Sequence, residues 1–387
     1  MFLEIAKENN PKLIEFAFKL QQEGQILPDT YVLDYDTIIE NGRKMKVIAD
    51  SLNIKLFFMT KQIGRNPEIA RGLMEIGFDG VVAVDFKETL TMIKNGIRLG
   101  NVGHLVQIPQ AALKTVIENK PIIMTVYNFE MIEEINSIAK KQNHIQDIMP
   151  RVVDEDSFLY DSQQGGFDVA ELSCLIDRVK ELKNVRFAGL TVFPAFLYDK
   201  EQRDILPTVN MQAMEKAVKT ASEKGYNSLM INMPSVTCCQ GIETIHKYGG
   251  NCGEPGHGLT GTTPLHKDTV QPEKIGYVYV SEISHTYKEN SHCYGGGFYR
   301  RGGLENALVG TSLENCKMVK CSAADNNIDY HFKIHGKHKA GSGVIICYRT
   351  QAFTTRSQIA VVKGLKDNKP ELSGLYSSLG EKIEKNW

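Results

Sequence analysis

Between residues 55 and 254 the sequence repeats one pattern. A short run of apolar, often β-branched residues is followed by a longer stretch whose apolar positions recur at helical spacing. The runs are KLFFMT (55–60), GVVAVD (80–85), VGHLVQI (102–108), PIIMTVY (121–127), DIMPRVV (147–153), RFAGLTVF (186–193), SLMINMP (228–234) and a weaker one near 250–254. Stretches such as PEIARGLMEIG, FKETLTMIKNG and VAELSCLIDRVKEL lie between them. A strand that is apolar along its whole length is buried on both faces, which is the condition of a parallel sheet covered by helices. Eight such units predict an α/β fold, a (β/α)8 TIM-type barrel. An open doubly wound sheet is the structural rival, because it is built from the same βα repeat.

The rhythm stops near residue 266. YVYVSEISHTY, GGGFYRRGG, IDYHFKIHG and GVIICYRTQAFTTRSQIAVVKGL read as short antiparallel strands joined by glycine turns, so 266–387 is assigned to a C-terminal mostly-β domain. At the other end, NPKLIEFAFKLQQEG (10–24) has helical periodicity closed by a glycine, and residues 1–29 form an N-terminal helical segment. The barrel domain is assigned 30–265. Its first strand, Tyr31-Val-Leu-Asp-Tyr, precedes the βα repeat and is a candidate partner for the β domain instead.

Composition narrows the function classes. Lys+Arg 45 against Asp+Glu 46 leaves a net charge of -1, which lacks the basic footprint of a nucleic-acid binder. No apolar run approaches the roughly 20 residues of a membrane helix, and the opening MFLEIAKENN is too acidic and polar for a signal peptide. The eight cysteines include no CxxC pair and fit free thiols in a reducing compartment, so a cytoplasmic protein is expected. The vicinal Cys238-Cys239 pair is read as packing rather than as a redox or metal site.

In a barrel the reactive groups sit at the C-terminal ends of strands and in the loops that follow. Lys61 stands directly after the first barrel strand. A lysine at the rim of a buried strand either snorkels to water or is paired or reactive, and a reactive amine there can form a Schiff base with an aldehyde. Asn232-Met-Pro-Ser235-Val-Thr237 follows the seventh strand, and Gly253-Glu254-Pro-Gly256-His257-Gly258-Leu-Thr260-Gly261 follows the eighth. Glycines, hydroxyls and backbone N–H groups in those two loops are a recurrent phosphate site, although a glycine-rich loop by itself is more often a plain turn. One cofactor carries both an aldehyde and a phosphate: pyridoxal 5'-phosphate (PLP). Arg151, at the end of the fifth strand, points toward the same pocket by position.

These motifs resemble a known family. TYVLDYDTIIENGR resembles the "IDLDAIxxN" entry of the alanine racemase-like, fold type III PLP enzymes, and the chain is most similar to their YhfX-type branch. FFMTKQIGRNPEIARGLMEIGFDGVVAVDFKETLTMIKNGI resembles the family's lysine block and the helix after it. GGF at 165–167, NVRFAGLTVF at 184–193, PSVT at 234–237, GEPGHGLTG at 253–261 and CYGGGFYRR at 293–301 continue the similarity. The resemblance implies that Lys61 is the Schiff-base lysine and one of two acid/base groups. It implies that Ser235, Thr237, Gly256 and His257 hold the cofactor, mainly its phosphate, and that Tyr294 is the catalytic tyrosine, which in the family reaches the active site of the other subunit of a homodimer. A lysine and a tyrosine on opposite faces of Cα permit two-base proton exchange. The implied activity is a PLP-dependent amino-acid racemase or epimerase acting on a small-molecule amino acid.

The sequence also departs from the family. Glu254 stands where alanine racemases place an arginine against the pyridine nitrogen, and a carboxylate favours the protonated ring that an arginine disfavours. Gln164 and Arg65 replace an arginine and a tyrosine, and Val192 or Phe193 replaces a ring-stacking histidine. These losses put alanine in doubt as substrate. They keep open a PLP-dependent D-amino-acid lyase, aldolase or dehydratase, and more distantly a non-catalytic PLP carrier. Arg151, Arg349 and Gln164 are the expected substrate-binding residues, with Arg349 the preferred carboxylate anchor because a guanidinium binds that group with two parallel bonds. No metal is expected: His292 and Cys293 are adjacent, so they point to opposite faces of a strand.

Overall fold

The computed structural model describes residues 2–324 and 326–387. Among these, the chain divides into two compact units. The barrel unit comprises Met45–Thr60 and Ala70–Gly256; the β unit comprises the residues up to Lys44, Lys61–Ile69 and His257–Trp387.

The barrel unit is built on nine short parallel strand segments: β2 (Lys55–Met59), β3 (Gly80–Ala83), β4 (Leu99–Val102), β5 (Ile123–Val126), β6 (Gln146–Pro150), β7 (Val185–Phe187), β8 (Gly189–Thr191), β9 (Met230–Asn232) and β10 (Cys252–Gly253). Their order is β8-β9-β10-β2-β3-β4-β5-β6-β7. Segments β7 and β8 are two halves of one stave broken at Ala188, and a parallel bridge from Arg151 to Thr191 joins β6 to β8. The ring therefore closes on eight staves, which excludes the open sheet and agrees with the (β/α)8 expectation. Helices separate the strands: α4 (Pro67–Glu75), α5 (Phe86–Lys94), α6 (Gln110–Glu118), α7 (Phe129–Lys141), α8 (Leu172–Lys180), α9 (Asn210–Glu223) and α10 (Cys239–Lys247). Side-chain caps start three of them. Asn66, before α4, accepts from Ile69 N–H at 3.0 Å. Asp85 accepts from Glu88 N–H at 2.7 Å, and Asn128 accepts from Met131 N–H at 2.8 Å. Strands β3, β4 and β5 are buried at every position, as uninterrupted apolar runs require.

One expected strand is misplaced. VGHLVQI (102–108) is not the third stave; that stave is Leu99–Val102, and Gly103, at φ 83°, ends it. The true strand contains Asn101, whose side chain faces a buried carboxylate. The polar residue hid the strand, while the apolar residues that mimicked one belong to the loop beyond it.

In the β unit, helices α1 (Phe2–Asn9) and α2 (Pro11–Gln22) lead into β1 (Thr30–Asp34) and then α3 (Tyr35–Ser51). The remaining strands are β11 (Tyr277–Tyr287), β12 (Asn290–Tyr294), β13 (Asn306–Gly310), β14 (Cys316–Ser322), β15 (His331–His335), β16 (Gly343–Ile346), β17 (Gln358–Lys363), β18 (Glu371–Ser377) and β19 (Lys382–Ile383). The sheet order is β12-β15-β14-β13-β16-β11-β1-β17-β18-β19, and β12 also pairs with β11. Six antiparallel strands thus close on themselves. Strand β1 extends the sheet, antiparallel to β11 with Tyr31 opposite Tyr279, and parallel to β17 with Tyr31 opposite Ile359. Helices α1 and α2 cover one face. Phe2, Leu13 and Phe18 pack in one cluster with Val278, Val280 and Ile345. Each such side chain contributes about 1.5–3 kcal/mol when fully buried.

Candidate active site

The barrel unit carries a buried polar cluster at the C-terminal ends of its strands. Glu254 follows β10 directly and is 3% exposed. One carboxylate oxygen, Oε1, accepts from the side-chain amides of Asn101 and Asn232, both at 2.8 Å. Asn232 ends β9 and Asn101 is the last residue but one of β4, and Thr125 on β5 orients Asn101 by donating to its Oδ1 at 2.8 Å. The Glu254 backbone N–H donates to Thr237 Oγ1 at 3.2 Å, which ties the carboxylate to the loop after β9. His104, fully buried, brings Nε2 to 3.4 Å from the second oxygen, Oε2, and meets the Phe193 ring edge-on at 5.3 Å between centroids. A buried carboxylate is costly unless donors surround it; two amides donate to one oxygen, and the His104 imidazole lies beside the other.

The loop after β9 has a conformation suited to an anion. Ser235 and Val236 both lie in the left-handed region, at φ 103° and 49°. The turn leads into α10, whose N-cap residue, Cys238, makes no side-chain capping bond. Gly241 in the first turn of α10 permits a close approach, since a Cβ there would overlap the carbonyl oxygen of Val236. A left-handed turn folded against a helix N-terminus presents N–H dipoles to one spot, the arrangement that accepts a phosphate. A phosphorylated pyridine fits these groups: a donor-rich turn for its anion and a buried carboxylate for its ring nitrogen. Cys238 and Cys239 are both buried in the packing.

Arg151 is the largest fully buried side chain. It donates to Tyr127 Oη at 3.0 Å, to the Gln163 carbonyl at 2.9 Å and to the Phe193 carbonyl at 3.1 Å, and lies over the Tyr127 ring at 5.4 Å. Its Nε–H is buried and has no hydrogen-bond partner among the described residues. Tyr127 in turn donates to the His104 carbonyl at 2.5 Å. Burial raises the Tyr127 hydroxyl above its ordinary pKa, so it stays a neutral donor. Gln164, one residue beyond the Arg151 partner Gln163, is exposed.

The β unit assembles a second group. Lys61 opens a short 3-10 turn two residues after β2 ends. Gln62, His257, Arg349 and Thr350 gather beside it. His257 Nε2 lies 3.0 Å from the Thr350 carbonyl, and Nδ1 lies 3.3 Å from Gln62 Nε2. A carbonyl only accepts, so Nε2 carries the hydrogen and Nδ1 accepts from the Gln62 amide. Arg349 Nε lies 3.3 Å from the same Nε2, beside the ring. Burial first, then the positive charges of Arg349 and Lys61, hold His257 well below its ordinary pKa, so the ring is neutral. Arg65 is buried with its guanidinium 5.2 Å over the Phe353 ring.

Tyr294 ends β12 and is 40% exposed, with its ring 6.0 Å from that of His331. The neighbouring His292 ring stacks on His285 at 5.0 Å, while Cys293 is buried on the opposite face. Among the described residues, no group of three or more His, Cys, Asp or Glu side chains is arranged to hold a metal ion. No helix among them is long and apolar enough to cross a membrane.

Two of the expected site residues, Thr237 and Glu254, meet directly inside the barrel unit, while Lys61, His257 and Arg349 gather in the β unit. Sequence reasoning missed His104, Asn101, Asn232 as a carboxylate holder, and Tyr127. The available signal was a polar side chain at the end of each of several successive apolar runs.

Comparison with known proteins places these groups in context. Residues 33–264 match the family model described as alanine racemase, N-terminal domain, and residues 278–372 match YhfX-like, C-terminal domain. The chain is 39% identical over 386 residues to an uncharacterized protein, YhfX, of Escherichia coli (strain K12), covering 99% of this chain and 100% of that one. Diaminopimelate decarboxylase from M. jannaschii superimposes with a TM-score of 0.67 at 14% identity, covering 95% of this chain and 92% of that one. An alanine racemase from Clostridium difficile 630, in complex with cycloserine, gives 0.63 at 17% identity, covering 91% and 99%.

Proposed function

Because this chain belongs to the alanine racemase-like family of PLP-fold proteins, with a YhfX-like C-terminal domain, we propose that it is a PLP-dependent amino-acid racemase or epimerase. The observation that carries this reading is the buried Glu254 carboxylate, fixed by two asparagine amides and tied through Thr237 to a donor-rich turn. Bound PLP supplies an electron sink that acidifies the Cα–H of an attached amino acid.

The chain's own groups do the rest. The Lys61 amine holds the cofactor aldehyde and moves a proton on one face of Cα. The partner subunit's Tyr294 moves a proton on the other face, which makes the working enzyme a homodimer. Ser235, Thr237, Gly256 and His257 hold the phosphate; both His257 ring nitrogens already have protein partners, so its backbone N–H is the group that faces the anion. Glu254 accepts from the protonated ring nitrogen. Arg151 directs its unpartnered Nε–H to the substrate carboxylate, with Arg349 the second anchor and Gln164 at the periphery. The eight thiols carry no disulfide, which suits a cytoplasmic setting.

The test begins with absorption. Purified protein given PLP is expected to develop the band of a lysine-bound cofactor, and Lys61→Ala to lack it. A panel of L- and D-amino acids read by chiral chromatography then identifies the substrate. Carbonyl product from D-threonine or D-serine, without inversion, overturns racemisation in favour of the lyase. A protein that binds PLP but turns over nothing in the panel is a carrier.

A further inference from the structure

Tyr294 leads into three consecutive glycines, Gly295 to Gly297, the most pliable linker an L-chain offers. Its own side chain is too exposed for packing to aim it. The backbone behind it is nevertheless held at every residue. Gly295 N–H donates to the Tyr330 carbonyl at 2.8 Å, and Arg356 N–H donates to the Gly296 carbonyl at 3.2 Å. Asp329 Oδ2 accepts from Gly296 N–H at 3.1 Å and from Phe298 N–H at 2.9 Å. Gly296 itself packs over Asp29, where a Cβ would overlap the carboxylate.

Two tyrosines complete the cage. Tyr31 Oη lies 2.5 Å from the Gly297 carbonyl, and Tyr348 Oη lies 2.6 Å from the same oxygen. Both rings are fully buried. That carbonyl has two lone pairs, so both hydroxyl hydrogens go to it. The 2.9 Å contact between the hydroxyls then holds no hydrogen, and Thr350 Oγ1, 2.7 Å from Tyr31 Oη, is the donor in that pair. The backbone of the same Thr350 accepts from His257, beside Lys61. One hydrogen-bonded path therefore runs within the β unit from His257 through Thr350 and Tyr31 to the loop that carries Tyr294.

We propose that Tyr31, seconded by Tyr348, is a positioning residue for Tyr294: its hydroxyl fixes the glycine loop so that the tyrosine meets the substrate Cα of the partner subunit at proton-transfer distance. The inference rests on the reading of Tyr294 as a proton-transfer group. A loop that shifts by about 1 Å costs about two orders of magnitude in such a step.

The test uses the PLP-loaded enzyme and its Tyr31→Phe and Tyr348→Phe variants. Each pure enantiomer of the substrate found above is placed in D2O, and loss of the Cα hydrogen is followed in the first turnover. Tyr31→Phe is expected to slow exchange from the enantiomer served by Tyr294 at least tenfold, and to change exchange on the Lys61 face less than twofold. Amide hydrogen exchange over residues 294–299 is expected to rise about tenfold. Tyr348→Phe, which removes the other hydroxyl from the same carbonyl, is expected to act in the same direction and serves if Tyr31→Phe fails to fold. Equal slowing on both faces, or unchanged amide exchange in the loop, overturns the proposal while leaving the racemase reading intact. A wild-type enzyme that exchanges no Cα hydrogen with any amino acid overturns the reading of Tyr294, and this inference with it.

Discussion

The barrel unit and the β unit hold their candidate functional groups in different ways. In the barrel, Glu254, Asn101, Asn232 and Thr125 project from two pairs of neighbouring strands of one parallel ring, and the ring's regular geometry brings them together. In the β unit, Tyr294 sits at a strand end with an exposed side chain, and hydrogen bonds spanning hundreds of residues, such as Tyr31 to Gly297, fix the loop behind it. A ring of parallel strands positions side chains by construction. A glycine loop has to be positioned by contacts collected from elsewhere, and each of those is a separate point of failure.

The sharpest way to separate the two arrangements is Lys61→Ala, which removes the proposed attachment point. Turnover is expected to fall more than about a thousandfold with the denaturation midpoint nearly unchanged. A variant that keeps a tenth of the activity would remove Lys61 from the chemistry.

Next in size is a pH effect confined to the β unit. Asp29 is raised to about 6, chiefly by burial, against hydrogen bonds from Ser357 and Tyr279 and attraction to Arg356 that lower it, with Asp329 adding a small upward push. The folded state thus holds a proton that the unfolded chain releases near 3.8. Between those values stability falls as pH rises, by about 3 kcal/mol in full, roughly half of it between about pH 5 and 7.5. Asp29→Asn is expected to erase that contribution, so its stability relative to wild type should improve as pH rises over this range. Urea titrations at both pH values measure it, and parallel curves for the two proteins contradict the assignment.

Tyr294→Phe follows, with an expected loss of about a hundredfold in racemisation. Hydrogen exchange at Cα should persist from the enantiomer served by Lys61, so deuterium enters without inversion. If exchange and inversion vanish together, two-base transfer is wrong.

The smallest effect belongs to the barrel. Asn101→Ala leaves Glu254 with the Asn232 amide, and is expected to cost about 1–2 kcal/mol of stability and to weaken PLP binding about tenfold. Fluorescence titration with PLP reads the second quantity. An unchanged affinity would detach the asparagine from the cofactor site.

How much of this was legible beforehand differs by residue. Seven of the eight staves were readable because full burial demands unbroken apolar runs; Lys61 stood out as a charge beside such a run, and Glu254 through the family resemblance. The third stave was misread because Asn101, needed inside the barrel, broke the run that would have marked it, and His104 was lost inside the false strand. The match of Tyr31 with Gly297 leaves no periodic trace. Nothing in the local sequence of either residue encodes the other.

Local physics therefore determined the βα repeat, the change to antiparallel strands near residue 266 and the kinds of functional group at the strand ends. Those features follow from burial periodicity and side-chain functional groups, which each segment carries on its own. Tertiary structure alone decided that Glu254 is held by two asparagines, that His257 is neutral with its hydrogen on Nε2, and that the loop behind Tyr294 is caged. Each of these depends on a hydrogen-bond partner or a burial that exists only once distant segments have packed, because a donor's strength and a group's charge are set by its surroundings and not by its neighbours in the chain.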